Sequence, residues 1–262
     1  MQRKKRKIVI LGVVFFILAI LFLSIRLNIF IIKSASLQPP TLSCADSSQI
    51  KNSTNLIGQN IFLVNFQKTE RDVKNKFLCV KNISIARNLP DKINLSFQER
   101  EAVAILAEST SSTSSAILKE FIESSSSAQF KFPNESSNKL LVDSEGMIYS
   151  QNTTDFPVPL LYVYGLDLKL GQKLDGSLMN SLIILDKVKI YRLSITEASI
   201  FEDVLMINTA PKIIFKLRND IDKQIASLQL ILEKAKMETS KLEFIDLRFD
   251  KPIVRIAPKK NG

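Results

Sequence analysis

The strongest constraint on this chain is an uncharged apolar run close to its N-terminus. From Ile8 to Ile25 no residue is charged, and most are Ile, Leu, Val or Phe. As a helix rising about 1.5 Å per residue, the run would be roughly 27 Å long and would nearly cross the hydrocarbon core of a bilayer. Basic residues precede the run, and such a flank stays in the cytoplasm. We therefore predict a single-pass membrane protein with a cytoplasmic basic tail over residues 1–7, a transmembrane signal-anchor helix over residues 8–28 and an extracytoplasmic bulk.

A cleaved signal peptide is the alternative, because it also begins with basic residues. Its apolar region is about 7 to 15 residues long and ends near an A-x-A-like site. The run in this chain is longer, and no clear site of that kind follows it. Part of the net charge of +10 lies in the basic flank. We expect that flank to meet anionic lipid headgroups beside the anchor, and we expect no nucleic-acid binding.

The two cysteines, Cys44 and Cys79, both follow the predicted anchor, where thiols are not kept reduced. A disulfide between them would stabilise the fold by roughly 3–4 kcal/mol in the chain-entropy model. Two separate buried thiols are an equal alternative. The sequence does not show whether the two Cα atoms approach within about 7 Å, so both possibilities stay open.

The residues after the predicted anchor have the pattern of a small α+β domain. A short strand over residues 29–33 and two amphipathic helices come first. Two runs of alternating apolar residues, 80–87 and 93–97, then flank a turn at Asn88-Leu89-Pro90-Asp91 and predict an antiparallel hairpin. Amphipathic helices that cover one face of a sheet complete a two-layer fold.

The composition changes abruptly between Glu108 and Lys139, where serine runs predict a flexible insertion. Its one apolar patch, over residues 116–122, predicts a short helix or a packing anchor. Residues 140–257 then combine hairpins, two helices and further strands, which predicts a second domain built on a mixed sheet. Pro252 makes the last strand an edge or bulged strand, because proline cannot donate to a central ladder.

Several kinds of catalytic group are missing from the sequence. There is no histidine, which removes the usual general base and the commonest zinc ligand. No phosphate-cradling glycine loop or dinucleotide fingerprint occurs. Glu99 and Glu101 resemble an acid/base pair, but they end a predicted hairpin strand where nothing marks a cleft. We therefore predict no enzyme activity, no cofactor, no metal site and no small-molecule substrate.

Three motifs follow one another along the chain. The first joins Gly58-Gln-Asn-Ile-Phe-Leu-Val-Asn65 to Arg87-Asn-Leu-Pro90 and to a strand ending in Glu99-Arg-Glu-Ala-Val-Ala104. The second is Leu141-Val-Asp-Ser-Glu-Gly-Met-Ile148, and the third is Phe244-Ile-Asp-Leu-Arg-Phe-Asp250. These segments resemble the POTRA domain and the β domain of the FtsQ/DivIB cell-division family, and the likeness covers nearly the whole chain in order.

The resemblance implies an α+β fold class, with a single N-terminal transmembrane helix, a small α+β POTRA domain and a mixed α/β-sheet domain. The implied domains are the basic tail (1–7), the anchor (8–28), the POTRA domain (29–107), the serine-rich insertion (108–139), the FtsQ-like β domain (140–257) and a C-terminal tail (258–262).

The same resemblance implies a function. Proteins of this family are non-catalytic scaffolds at the division septum, which link other bitopic division proteins to septal peptidoglycan synthesis. The C-terminal part of the β domain binds FtsB, itself in complex with FtsL, by adding a strand. The matching positions here are Leu247, Arg248, Phe249, Ile253 and Val254, with Phe249 as an anchor and Arg248 as a charge contact. The alternative for Phe249 is that it packs into the core of the β domain.

Other functions compete with division. A POTRA-type protein of envelope protein assembly or transport is one, but the C-terminal region lacks the run of alternating strands that a barrel needs. An anchored cell-wall hydrolase with a Ser-Lys pair is another, because such a pair needs no histidine. An exported binding module that shares only the small α+β domain is the third.

Overall fold

A computed structural model describes most of the chain: residues 12–18, 29–40, 42, 44–109, 114–123, 139–151, 157–238 and 241–257. The chain divides into two compact units, Met1–Arg100 and Glu101–Gly262. The predicted basic tail and C-terminal tail, at residues 1–7 and 258–262, lie outside the described residues.

The N-terminal segment does not show the membrane-spanning helix that its composition predicts. Residues 12–18 are the described part of the predicted anchor and are helical; we call them α1. Among the described residues, no helix is both long and apolar enough to cross a membrane. The predictions of an anchor over residues 8–28 and of a single-pass membrane protein are therefore wrong; residues 8–11 and 19–28 lie outside the described residues.

The first unit contains a strand, two helices and a hairpin, in the order that the sequence predicts. Its elements are β1 (Ser34–Gln38), α2 (Ser47–Thr54), α3 (Phe66–Lys76), β2 (Val80–Asn88) and β3 (Lys92–Glu99). The sheet order is β1-β3-β2, with β1 parallel and β2 antiparallel to β3. The strand predicted over residues 29–33 was wrong: β1 begins only at Ser34, and Ile31 forms an isolated bridge with Asn60.

Local chemistry accounts for the helix and the hairpin of this unit. The Asn65 side chain caps α3 by accepting a hydrogen bond from the Lys68 backbone N–H at 3.1 Å. Ile93 and Leu95 of β3 alternate with exposed or half-buried residues and are fully buried. Cys44 and Cys79 form a disulfide with their Cα atoms 6.3 Å apart, which links the segment before α2 to the start of β2.

The second unit is built on one large sheet. Its elements are β4 (Ala102–Ser109), α4 (Ser114–Glu123), β5 (Lys139–Asp143), β6 (Ile148–Gln151), β7 (Leu160–Tyr164), α5 (Gly176–Val188), a 3₁₀ turn (Lys189–Tyr191), β8 (Glu197–Phe201), β9 (Val204–Asn208), β10 (Lys212–Lys216), α6 (Ile221–Met237), β11 (Leu242–Asp246) and β12 (Ile253–Ile256). The nine strands described run in the order β12-β11-β10-β9-β8-β7-β4-β5-β6.

The boundary between the units lies earlier than the predicted end of the POTRA domain at residue 107. Residues 102–109 form β4, which pairs antiparallel with β5 and parallel with β7. Backbone pairing on both sides makes β4 a central strand of the large sheet. Glu108 and Lys139, the predicted limits of the serine-rich insertion, accordingly belong to β4 and β5.

The two faces of the large sheet carry different cores. The face we call the helical face packs against α5 and α6, whose buried residues include Leu182, Leu185 and Leu228. The opposite face, which we call the insertion face, carries a cluster that includes Phe121 of α4. The other buried members of that cluster are Ala107, Tyr162, Phe201, Met206, Ile214 and Phe244. Successive residues of a strand point to opposite faces, so Ile213 and Ile214 belong to different cores.

Candidate partner-binding site

Strand β12 lies at one end of the large sheet and pairs with β11. In the part of the chain that the structure describes, no strand pairs with its outer side. Three of its four side chains are apolar and well exposed: Ile253 at 54%, Val254 at 36% and Ile256 at 54%. An edge of this kind presents backbone donors and acceptors beside apolar side chains, which is what an incoming strand requires.

The ladder between β11 and β12 defines which backbone groups face outward. The Ala257 N–H donates to the Lys241 carbonyl at 2.8 Å, so residue 257 faces β11. In an antiparallel ladder alternate residues face the same side, and Ile253 and Arg255 therefore also face β11. The N–H and C=O groups of Val254 and Ile256 are directed toward the open side.

The connection from β11 to β12 begins with a buried residue. Leu247 is 2% exposed, belongs to the core on the helical face and donates its backbone N–H to Ile214 O at 2.8 Å. Its side chain does not reach the surface. Leu247 therefore anchors the start of the connection rather than offering a partner contact.

Arg248 is tied to a buried carboxylate. Its Nε donates to Asp246 Oδ1 at 3.0 Å and its Nη2 donates to Asp246 Oδ2 at 2.7 Å, a two-point contact that fixes the guanidinium plane. Asp246 is 3% exposed. The hydrogen bond that Arg248 donates to Asp246 raises the pKa of Arg248, as does the negative charge of Asp246, while burial acts in the opposite direction. The Arg248 carbonyl also accepts a hydrogen bond from Asn219 Nδ2 at 3.2 Å, which joins the connection to the start of α6.

Phe249 is the first side chain of the connection that projects to the surface. It is 52% exposed, and the Arg248 guanidinium lies 5.4 Å from the centre of its ring. Strand β11 ends at Asp246, so the alternation that would turn Phe249 into the core does not continue that far. Phe249 thus lies on the surface between β11 and β12.

A groove of about 450 Å³ separates this connection from the first turns of α6. Its wall on the α6 side includes Asp220, which caps the helix by accepting from the Lys223 backbone N–H at 3.1 Å. Lys223 Nζ lies 3.4 Å from Asp250 Oδ1 across the groove. The groove therefore carries both charges, and its apolar part comes from Phe249 and Pro252.

The five positions singled out in the sequence thus come together at one end of the sheet, but in different roles. Phe249, Ile253 and Val254 expose apolar surface, whereas Leu247 and Arg248 support the connection beneath them. Sequence reasoning missed Asp246 and Ile256. The Asp246-x-Arg248 spacing was a usable signal for the first, and Ile256 lies in the same short apolar run as Val254.

Comparison with known proteins does not assign this chain to a family. No protein-family model matches the sequence, and no curated protein matches it significantly. Within the described residues, no group of three or more Cys, Asp or Glu side chains is placed to hold a metal ion. The likeness to the FtsQ/DivIB family therefore depends on the three sequence motifs alone.

Proposed function

We propose that this chain is a non-catalytic scaffold that binds a partner protein by strand addition to β12. Following the FtsQ/DivIB resemblance, the partner is an FtsB-like division protein, itself joined to an FtsL-like protein, and the scaffold connects them to septal peptidoglycan synthesis. The observation that carries the proposal is the open outer side of β12 with its exposed Ile253, Val254 and Ile256.

Strand addition would use both the outward backbone groups and the exposed side chains of β12. The outward N–H and C=O groups of Val254 and Ile256 pair with an extended segment, and main-chain pairing supplies affinity. The side chains on the two faces of β12 add selectivity, since Val254 and Ile256 point to one face and Ile253 and Arg255 to the other. Phe249 provides an aromatic anchor beside the strand.

Arg248 acts in this proposal as a positioning residue. Its two-point contact with Asp246 holds the connection in place, and its carbonyl is bound by Asn219. A fixed connection presents Phe249 and the first residue of β12 without a further ordering cost on binding. The charge contact to a partner implied by the resemblance would use only the part of the guanidinium that is left exposed.

The first unit supports the same proposal through its element order. A strand, two helices and a hairpin follow one another there, in the order that the residue pattern predicts for the small α+β domain. Its motif Arg87-Asn-Leu-Pro90 falls at the turn between β2 and β3.

The experiment compares two substitutions at one position. Val254→Pro keeps an apolar side chain of similar size but removes an outward N–H, and proline is tolerated on the open side of an edge strand. Val254→Ala keeps the N–H and removes side-chain bulk. The full-length chain is purified with the FtsB/FtsL-like pair, and binding is measured by calorimetry.

We expect Val254→Pro to weaken binding by about tenfold or more, because a partner carbonyl loses its donor, and Val254→Ala to weaken it less. Thermal unfolding of both variants provides the folding control. Wild-type affinity in a folded Val254→Pro protein would exclude strand addition at β12. Absence of binding by the wild-type chain would exclude the FtsB/FtsL-like partner.

A further inference from the structure

The serine-rich segment places one helix on the insertion face of the large sheet. Phe121 of α4 is completely buried there, and Leu118 and Ile122 are partly buried beside it. Phe121 belongs to the same buried cluster as Tyr162, Met206 and Phe244. The outward side of α4 carries Lys119 and Glu123, which form an exposed ion pair. The helix is therefore amphipathic and is held by its apolar side.

Two cationic side chains from the sheet hold the C-terminal turn of α4. Lys212 Nζ donates to the Phe121 carbonyl at 3.2 Å, and Arg255 Nη2 donates to the Ile122 carbonyl. The last carbonyls of a helix have no partner within the helix, and the helix dipole favours positive charge at that end. Lys212 is 1% exposed and lies 5.1 Å from the centre of the Phe121 ring, so the contact is enclosed.

Arg255 connects this contact to the candidate partner-binding site, because it belongs to β12. Its guanidinium lies 5.2 Å from the centre of the Phe244 ring in β11 while it holds Ile122 of α4. The other side chains of β12 are exposed and contribute little to holding the strand. Within the part of the chain that the structure describes, the β11 ladder and the Arg255 side chain, through its contacts with α4 and Phe244, attach this short edge strand.

We propose that α4 is a brace for β12: the docked helix of the serine-rich segment holds the edge strand in the sheet, so that docking of α4 and order in β12 are coupled. The coupling is a property of the chain alone. Its consequence for partner binding rests on the proposed function, since a partner that pairs with β12 would in turn stabilise docked α4.

The test measures amide hydrogen exchange in the full-length chain. Phe121→Ala removes the buried side chain that docks α4, and Lys119→Ala, on the exposed side of the same helix, is the matched control. We expect Phe121→Ala to accelerate exchange in residues 118–123 and, by about tenfold or more, in residues 253–256. Exchange in β6, at residues 148–151, should stay at the wild-type rate. Lys119→Ala should leave the exchange rates of α4, β12 and β6 unchanged.

A second pair of variants addresses the contact itself. Arg255→Gln removes the charge that holds Ile122, while Arg255→Lys keeps a cationic donor. We expect Arg255→Gln to accelerate exchange in both α4 and β12, and Arg255→Lys to restore most of the protection. This reciprocal loss in α4 distinguishes a brace from a local effect on β12.

Several outcomes would overturn the brace. In Phe121→Ala, exchange could become faster in α4 but stay unchanged in β12, or it could accelerate equally in β6 and β12. Unchanged exchange in α4 of this variant would also contradict the brace. No partner is present in these measurements. Failure of the brace is therefore distinguishable from failure of the proposed function, which the binding assay with Val254→Pro decides.

Discussion

The two ends of the large sheet meet solvent differently. At one end, the first residue of β6 is covered by the loop over residues 171–173: Gly171 N–H donates to Ile148 O at 2.8 Å, and Ile148 N–H donates to Gln172 O at 3.0 Å. Ile148 and Tyr149 are buried. At the other end, β12 exposes Ile253, Val254 and Ile256 with no covering strand among the described residues. Covering an edge is a common protection against unwanted pairing, so the open edge is the one that a partner would use.

The largest expected change in unfolding free energy distinguishes the buried residue Leu247 from the exposed residue Phe249 at the β12 end of the sheet. Leu247→Ala should lower the free energy of unfolding by about 3 kcal/mol, because it creates a cavity in the core of the helical face. Phe249→Ala, two residues later, should change it by less than about 0.5 kcal/mol, since the ring is half exposed. Urea denaturation of both variants measures the difference. Equal losses would show that Phe249 is a core residue.

The next effect concerns the Asp246–Arg248 pair. Asp246→Ala leaves the partly buried guanidinium without its carboxylate and should cost about 2–3 kcal/mol of unfolding free energy. The double variant Asp246→Ala/Arg248→Met, which removes both charges, should recover part of that loss. A double-mutant cycle by urea denaturation gives the coupling energy. A coupling energy near zero would contradict the positioning role of Arg248.

A smaller change in unfolding free energy is expected from the titration of Lys212. Burial, with the nearby charge of Arg255, lowers the pKa of Lys212 from 10.5 to about 8. Between these values the unfolded chain binds more protons than the folded chain, so the free energy of unfolding should rise with pH. The gain should be complete above the unfolded pKa and of the order of 1 kcal/mol between pH 8 and 9.5.

Lys212→Met provides the comparison, because it has no charge to titrate. Urea midpoints of the wild type should rise over this pH range relative to those of the variant. Parallel pH profiles of wild type and Lys212→Met would show that Lys212 does not titrate there.

The smallest expected effect on stability lies at the open edge itself. Ile256→Lys places a charge on an exposed side chain and should change the unfolding free energy by less than about 0.5 kcal/mol. A lysine on an edge strand discourages pairing, so binding of the FtsB/FtsL-like pair should fall. The control is Gln151→Lys in β6, which should leave binding unchanged. Equal effects of the two substitutions would mean that the two edges are not functionally different.

Elements with a strong local pattern were predictable from the sequence. The β2–β3 hairpin follows from alternation around Asn88-Leu89-Pro90-Asp91, and α6 begins after Asp220, a residue type that commonly caps helices. The apolar patch in the serine-rich insertion was expected to be a helix or a packing anchor. The patch forms the helix α4, and its Phe121 packs into a buried cluster. The predicted membrane anchor was wrong, because no helix among the described residues is both long and apolar enough to cross a membrane.

The sequence by itself determined most of the local elements, the absence of histidine and the candidate partner-binding residues between Leu247 and Val254. Only the tertiary structure decided that β4 belongs to the large sheet, that Cys44 reaches Cys79, and that Leu247 is buried while Phe249 is exposed. The reason is physical. Periodicity, caps and turns act between neighbours in sequence, whereas strand order, burial and an open edge depend on segments that meet only after the chain has folded.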